Sequence, residues 1–290
     1  MITVRELPEL RERIGEARAA GHRVGFVPTM GALHEGHLSL VRLARREAPF
    51  VVVSIFVNPL QFGPSEDLAR YPRREVDDGQ LLEKEGVDLL YLPDSARFYP
   101  EDFSTAVEVS GASEGGEGER RPGHFRGVAT VVAKLFQQVQ PDVAVFGRKD
   151  LQQVAVIRRM VRDLDFPLSL VVGETVREED GLALSSRNAY LSTEERRRAA
   201  DLFRSLLAAR GRAAHGESDA RRLEEDARRQ LEASGLAVDY VEAVEADTAR
   251  RAETVTSGVA LAAAVRLGKT RLIDNVFLLD PAKPTHKDHP

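Results

Sequence analysis

The chain has 290 residues, 42% of them hydrophobic and 30% charged, with a net charge of −5, a balance typical of globular proteins and unlike disordered, collagenous or disulfide-stapled chains. It contains no cysteine, which excludes disulfides, thiolate metal sites and a cysteine nucleophile, and its acidity argues against a broad non-specific nucleic-acid surface. No apolar run reaches the roughly 18–20 residues needed to span a bilayer and the first residues lack a signal-peptide core, so no membrane partner and a cytoplasmic location are expected.

The length exceeds that of one ordinary domain, so two are expected. Residues 23–27 read as a short apolar strand, and Leu38, Leu40, Val41 and Ala44 give the stripe of a core-facing helix. Between them lies Pro28-Thr29-Met30-Gly31-Ala32-Leu33-His34-Glu35-Gly36-His37. This strand-to-helix turn would place His37 in the first helical turn, where free backbone N–H groups and the helix dipole attract phosphate oxygens. Two histidines alone would equally suit one surface and one packing position. The spacing is one residue short of the H-E-x-x-H zinc pattern.

The run 50–57 is apolar on both faces, as a strand covered by helices on either side should be, and it ends in Asn58 and Gln61. A helix near 76–85, a strand at 87–92, a glycine- and glutamate-rich loop at 111–118 and an apolar helix at 128–139 follow. A strand at 143–146 leads into Gly147-Arg148-Lys149-Asp150 and a helix over 150–162, which Asp150 could cap, and the next strand is 168–172. Alternating strands and helices argue for a parallel sheet. With 35 arginines against 6 lysines, the chain uses arginine almost wherever a positive charge suffices, which singles out Lys149.

Past residue 176 the pattern changes. Residues 180–188 form a loop with Ser185, Ser186 and Arg187, a candidate phosphate clamp. Two charged amphipathic helices at 193–210 and 219–234 precede strands at 238–244, 259–266 and 271–276. The predicted division is a larger nucleotide-binding unit at 1–176, a smaller α+β lid domain at 177–280, and a disordered tail at 281–290. Gly111-Ala112-Ser113-Glu114-Gly115 matches G-x-S-x-G but lacks the strand-turn-helix setting of a nucleophile elbow. Gly268-Lys269-Thr270 lacks the first glycine of a P-loop and reads as a hairpin turn.

Three of these segments, the turn at 28–37, Asn58 with Gln61, and Gly147 to Asp150, each follow a strand and so converge on the carboxyl edge of the predicted sheet, where open α/β sheets bind ligands. The chain as a whole closely resembles the pantothenate synthetase family of the H-x-G-H nucleotidyltransferase superfamily. The resemblance is carried by P-T-M-G-A-L-H-E-G-H at 28–37, F-V-N-P-x-Q-F at 56–62, R-Y-P-R at 70–73, R-P-G-H-F-R-G-V at 121–128, F-G-x-K-D-x-Q-Q at 146–153 and S-S-R-N at 185–188. It implies a Rossmann-like parallel sheet of that superfamily's type. It also implies ATP-dependent condensation of (R)-pantoate with β-alanine to pantothenate, AMP and pyrophosphate, through an enzyme-bound pantoyl adenylate.

In the roles the resemblance implies, His34, His37, Lys149 and Arg187 act in adenylation, His37 as proton donor. Met30, Gly31, Gly36, Gly147, Asp150, Val176, Leu184, Ser185 and Ser186 join them in binding ATP. Gln61 and Gln153 would hold pantoate, and Asn58 with Gln61 would meet β-alanine. Mg²⁺ would enter mainly on the ATP phosphates, with Asp77 and Asp78 as candidate outer partners, and the enzyme would be a homodimer. Arg148 and Leu184 depart from the residues common in the family, glutamate or glutamine and methionine respectively. Two alternatives stay open: a simple nucleotidyltransferase that leaves the nucleotide on its product, and a tRNA-binding module on the same fold.

Overall fold

Period-two alternation inside the continuous apolar runs builds the larger layer. Strands β1 (Ile2–Val4), β2 (Val24–Thr29), β3 (Phe50–Ile55), β4 (Leu89–Tyr91), β5 (Val143–Gly147) and β6 (Ser169–Gly173) form one sheet in the order β1-β4-β3-β2-β5-β6, every neighbouring pair parallel. The structure, a computed structural model, describes residues 1–64 and 66–280, so the tail expected at 281–290 lies outside the described residues. Phe26, Val52 and Ala144 turn to one face and pack with α1 (Leu7–Ala19), α6 (His124–Val139) and α7 (Leu151–Asp163). Their strand neighbours Val27, Val51, Val53, Val143 and Val145 turn to the other, against Val41 and Ala44 of α2 (Glu35–Glu47) and Leu82 of α3 (Glu75–Lys84). Both faces are covered, which is why these strands are apolar throughout.

The remaining short helices of this half are α4 (Ser95–Phe98) and α5 (Gly116–Arg120). Then come α8 (Thr193–Ala199), α9 (Asp201–Ala214), α10 (Ala220–Ala233) and the antiparallel strands β7 (Ala237–Glu245), β8 (Val259–Leu267) and β9 (Thr270–Phe277), in the order β7-β8-β9. One face of this second sheet, including Leu261, Ala263 and Val265, packs on Leu202, Leu206, Leu223 and Leu231 of the two long helices. The other, with Ala260 and Ala262, packs on Leu151 at the start of α7, so small side chains on β8 let the second sheet sit close to the first unit.

The parallel sheet with a smaller α+β unit is as expected, and the Gly268-Lys269 hairpin joins β8 to β9. The predicted helix at 193–210 is two helices, α8 and α9, divided at Ala200. Four of the described strands and α-helices have no counterpart in the sequence reading: β1, α1, α4 and α5.

Candidate active site

Four strands deliver the site. The segments after β2, β3, β5 and β6 meet at the carboxyl edge of the sheet, and the 184–187 loop closes the far side of one cleft. The turn after β2 is shaped first by backbone: Gly31 has φ +84° and Ala32 φ +51°, consecutive left-handed residues of which the glycine accepts that conformation without cost. Thr29 Oγ1 accepts the Gly31 N–H at 3.2 Å, and the buried carboxylate of Asp78 on α3 accepts Ala32 N–H and Leu33 N–H, each at 2.8 Å. Held this way, the chain enters α2 with His34 as its N-cap.

The two imidazoles then cap the helix reciprocally. Gly36 N–H donates to His34 Nδ1 at 3.2 Å and His34 N–H donates to His37 Nδ1 at 3.3 Å. Each Nδ1 is therefore an acceptor, which assigns the ring proton to Nε2 in both residues. The rings lie 4.1 Å apart, and a Cβ on Gly36 would come within 2.9 Å of His34 Cε1, so only glycine lets the first ring fold over the helix start. Withdrawal from water is the largest cause that lowers His34 to about 4, with Lys149 adding to it and Asp150 opposing. Desolvation, His34 and Lys149 lower His37 to about 3. Both rings are neutral at pH 7 and offer Nε2–H donors rather than positive charge.

Charge comes from elsewhere. Lys149, in the turn after β5, and Arg187 both line the cleft with Ser185 and Ser186. Asp150 stands at the start of α7 but its side chain makes no capping bond; its carboxylate lies 3.5 Å from Lys149 Nζ instead, which corrects the expected cap. The neighbouring ammonium attracts the carboxylate more strongly than exposed amide groups do. Arg148 pairs with Glu174 at 2.5 Å and lies over the Phe277 ring at 4.9 Å. Its charge is met by the Glu174 carboxylate.

The opposite wall carries side-chain amides. Asn58 Nδ2 donates to Gln61 Oε1 at 3.0 Å and to Gly127 O at 3.1 Å, while Tyr99 OH donates to Asn58 Oδ1 at 3.0 Å. Asn58 is 1% exposed and its amide is engaged on every side, so its contribution is to orient Gln61. Gln153 lines the same cleft and has no side-chain hydrogen-bond partner among the described residues. Met30, Gly36, Gly147, Val176 and Leu184 also reach the cleft, whereas Gly31 shapes the turn beneath it. Asp77 and Asp78 do not line it: Asp77 is exposed, and Asp78 spends its oxygens on the turn.

Two further residues of the cleft carried no assignment from sequence, although the stretch 121–128 contains both. His124 Nδ1–H donates to Gln61 O at 2.8 Å, and Arg121 Nη1 donates to His124 Nε2 at 3.0 Å. Burial first, then Arg121, lowers His124 to about 4. Arg121 is in turn held by Glu66 at 2.6 Å. Such a relay depends on contacts across 60 residues, which no local pattern displays.

The cleft thus brings cations and imidazole N–H donors together with side-chain amides. A family model described as pantoate-beta-alanine ligase matches residues 2–277. The pantothenate synthetase of Syntrophotalea carbinolica is 50% identical over 97% of this chain and 99% of its own length. That of Acidobacterium capsulatum is 54% identical over 94% of this chain and 91% of its own. Among solved structures, pantothenate synthetase from Thermus thermophilus superposes with a TM-score of 0.91 at 51% identity, covering 96% of this chain and 99% of that one. Pantoate-beta-alanine ligase from Francisella tularensis, solved as a complex with beta-gamma ATP and beta-alanine, superposes with a TM-score of 0.81 at 32% identity over 96% of this chain and 98% of that one.

Proposed function

This chain belongs to the pantoate-beta-alanine ligase family, whose reaction is the ATP-dependent condensation of pantoate with β-alanine, and we propose that it runs that reaction through a pantoyl adenylate formed in the cleft. The observation that carries the reading is the meeting in one cleft of His34 and His37, neutral and with their Nε2 protons free, with Lys149 and Arg187 and the amides of Gln61 and Gln153. A pantoate carboxylate oxygen, oriented by Gln61 and Gln153, bonds to the α-phosphorus of ATP as the bond to pyrophosphate breaks. His34 and His37 donate hydrogen bonds to phosphoryl oxygens on which charge builds, and Lys149 and Arg187 supply the positive field. The β-alanine nitrogen, admitted beside Gln61, then attacks the acyl carbon and AMP departs. No residue of the chain is acylated, in keeping with the absence of cysteine and with Ser113, whose hydroxyl is spent on Val109 O.

Residues 1–176 would bind nucleotide and pantoate, and 177–280 would supply the lid side with Ser185, Ser186 and Arg187. Among the described residues no three His, Cys, Asp or Glu side chains converge as metal ligands, which suits Mg²⁺ carried on the ATP phosphates, where it would neutralise part of their charge. A cytoplasmic homodimer is the remaining part of the reading. Its support is family resemblance.

Isotope exchange between pyrophosphate and ATP tests the adenylate. Exchange should require ATP, Mg²⁺ and pantoate and proceed without β-alanine, and AMP with an amide product should appear only once β-alanine is added. Exchange that ignores pantoate would remove the acid from its place in the first step and favour the simple nucleotidyltransferase.

A further inference from the structure

Arg187 meets the cleft already holding an anion that belongs to the protein. Asp67, in the segment between β3 and α3, takes the Nε and Nη2 edge of the guanidinium at 3.2 and 3.1 Å. Both side chains are largely withdrawn from water, 30% exposed for Arg187 and 15% for Asp67. Contacts on either side bring their two segments together: Tyr71 OH lies 3.3 Å from Ser186 Oγ, the Tyr71 ring 5.9 Å from the guanidinium, and Tyr190 OH donates to Arg70 O at 3.2 Å. Lys149 has a carboxylate of its own, Asp150 at 3.5 Å. Each of the two cations assigned to the polyphosphate is thus already paired with an acidic side chain.

We propose that Asp67 is a positioning residue that competes with pyrophosphate for Arg187, weakening the hold on the polyphosphate and reclaiming the guanidinium as the product leaves. The proposal rests on the reading of Arg187 as a phosphate clamp. The edge formed by Nε and Nη2 binds a planar or tetrahedral oxyanion in two parallel bonds, and one anion at a time fills it. A phosphate group taking that edge must displace Asp67 or sit beside its negative charge, and either event costs binding energy. The cost falls on ATP and pyrophosphate alike. For a product that must leave before the next turnover, a weaker grip is an advantage.

A residue that merely oriented Arg187 would act with the opposite sign, since its removal would loosen the clamp and weaken phosphate binding. Calorimetric titration of the full-length protein with magnesium pyrophosphate separates the two. Asp67→Asn, which keeps one acceptor and removes the charge, should bind pyrophosphate roughly tenfold more tightly, the scale of one unit charge a few ångströms from an anion in a partly screened site. Asp67→Ser should shift in the same direction, which covers the case in which the amide variant folds poorly. In an Arg187→Ala background, Asp67→Asn should gain clearly less than in the parent, because only the direct repulsion between Asp67 and the anion is left to relieve. Unchanged or weaker pyrophosphate binding in both folded Asp67 variants overturns the proposal, as does an equal gain without Arg187. If Arg187→Ala alone binds pyrophosphate as well as the parent protein, the clamp reading fails first. If it loses pyrophosphate while neither Asp67 variant gains, only the competition fails.

Discussion

Three imidazoles, those of His34, His37 and His124, each have a ring nitrogen that accepts a hydrogen bond from a backbone N–H or from Arg121. Protonating any of them would turn that acceptor into a donor facing a donor. The direction of their shifts agrees, with burial lowering the three to about 4, 3 and 4 from an ordinary 6.5. In the unfolded chain they take protons as pH drops through 6.5, while the native protein does not until it nears the lowered values, so acid favours unfolding across that interval. Stability contributed by the neutral rings should be complete above about pH 7 and decline between 6.5 and 4. Urea midpoints at pH 7.5 and 5.0 measure it. His37→Asn, whose Oδ1 can accept the His34 N–H without titrating, should lose less between the two pH values than the parent; an equal loss would mean that His37 contributes nothing to the acid sensitivity. At this scale the sequence already pointed to His34, His37 and Lys149, because a histidine pair at a strand-to-helix turn and a lysine in an arginine-rich chain are local signals. Arg121 and His124 were not legible, since their partner Gln61 O is reached only through the fold.

The turn between β2 and α2 is built by an element that follows it in sequence. Asp78 sits on α3, 1% exposed, and its carboxylate holds the two N–H groups that set where His34 begins the helix. Burial raises its pKa while those two donors oppose the shift, as expected for a carboxylate kept for its acceptors. Asp78→Asn leaves one backbone N–H facing an amide N–H, and it should cost about 1–3 kcal/mol of stability, the penalty of one buried group left unpaired. It should also slow adenylation while leaving the Mg²⁺ concentration for half-maximal rate unchanged. A marked rise in that concentration would return Asp78 to the metal role suggested by family resemblance. Elements with two covered faces, such as β3 and β5, could be read from their unbroken apolar runs. β1 could not, because a three-residue edge strand with only Val4 buried leaves no periodic trace. In α1 the buried positions Leu10, Ile14 and Ala17 do have helical spacing, but charged residues crowd the intervals. The short α5 hides in a glycine-rich loop, held there by Glu117, which accepts two bonds of 2.7 Å from Arg271 on β9.

That last contact is one of several through which the second sheet reaches the edge of the first that carries the cleft. Asn275 Nδ2 donates to the carbonyls of Arg148 and Lys149, each at 3.0 Å, and Arg177, in the segment leading to the 185–187 loop, pairs with Asp274 at 2.6 and 3.0 Å. β9 therefore grips both the turn that carries Lys149 and the stem of the loop that carries Arg187. The sequence suggested a separate lid, since nothing local reports that β8 and β9 pack back on α7. Asp274 is the exposed point of this arrangement in energetic terms: its side chain is 1% exposed, and burial pushes its carboxyl upward even with Arg177 beside it. Arg177→Met, which keeps the packing over Phe203 but removes the charge, should cost about 3–5 kcal/mol near pH 8, the range for one partner stranded from a buried pair. Without Arg177, Asp274 can escape the penalty only by holding a proton. Its folded pKa then lies further above the unfolded value, and the stability it contributes is present at low pH and lost as pH rises through that folded value. The deficit of Arg177→Met relative to the parent should therefore shrink at pH 5.5 and widen at pH 8, and adding Asp274→Leu should recover most of it at both. Denaturation midpoints of the three proteins at the two pH values decide the matter: a deficit independent of pH, or one that Asp274→Leu deepens, would assign the cost to lost packing against Phe203 rather than to a stranded charge.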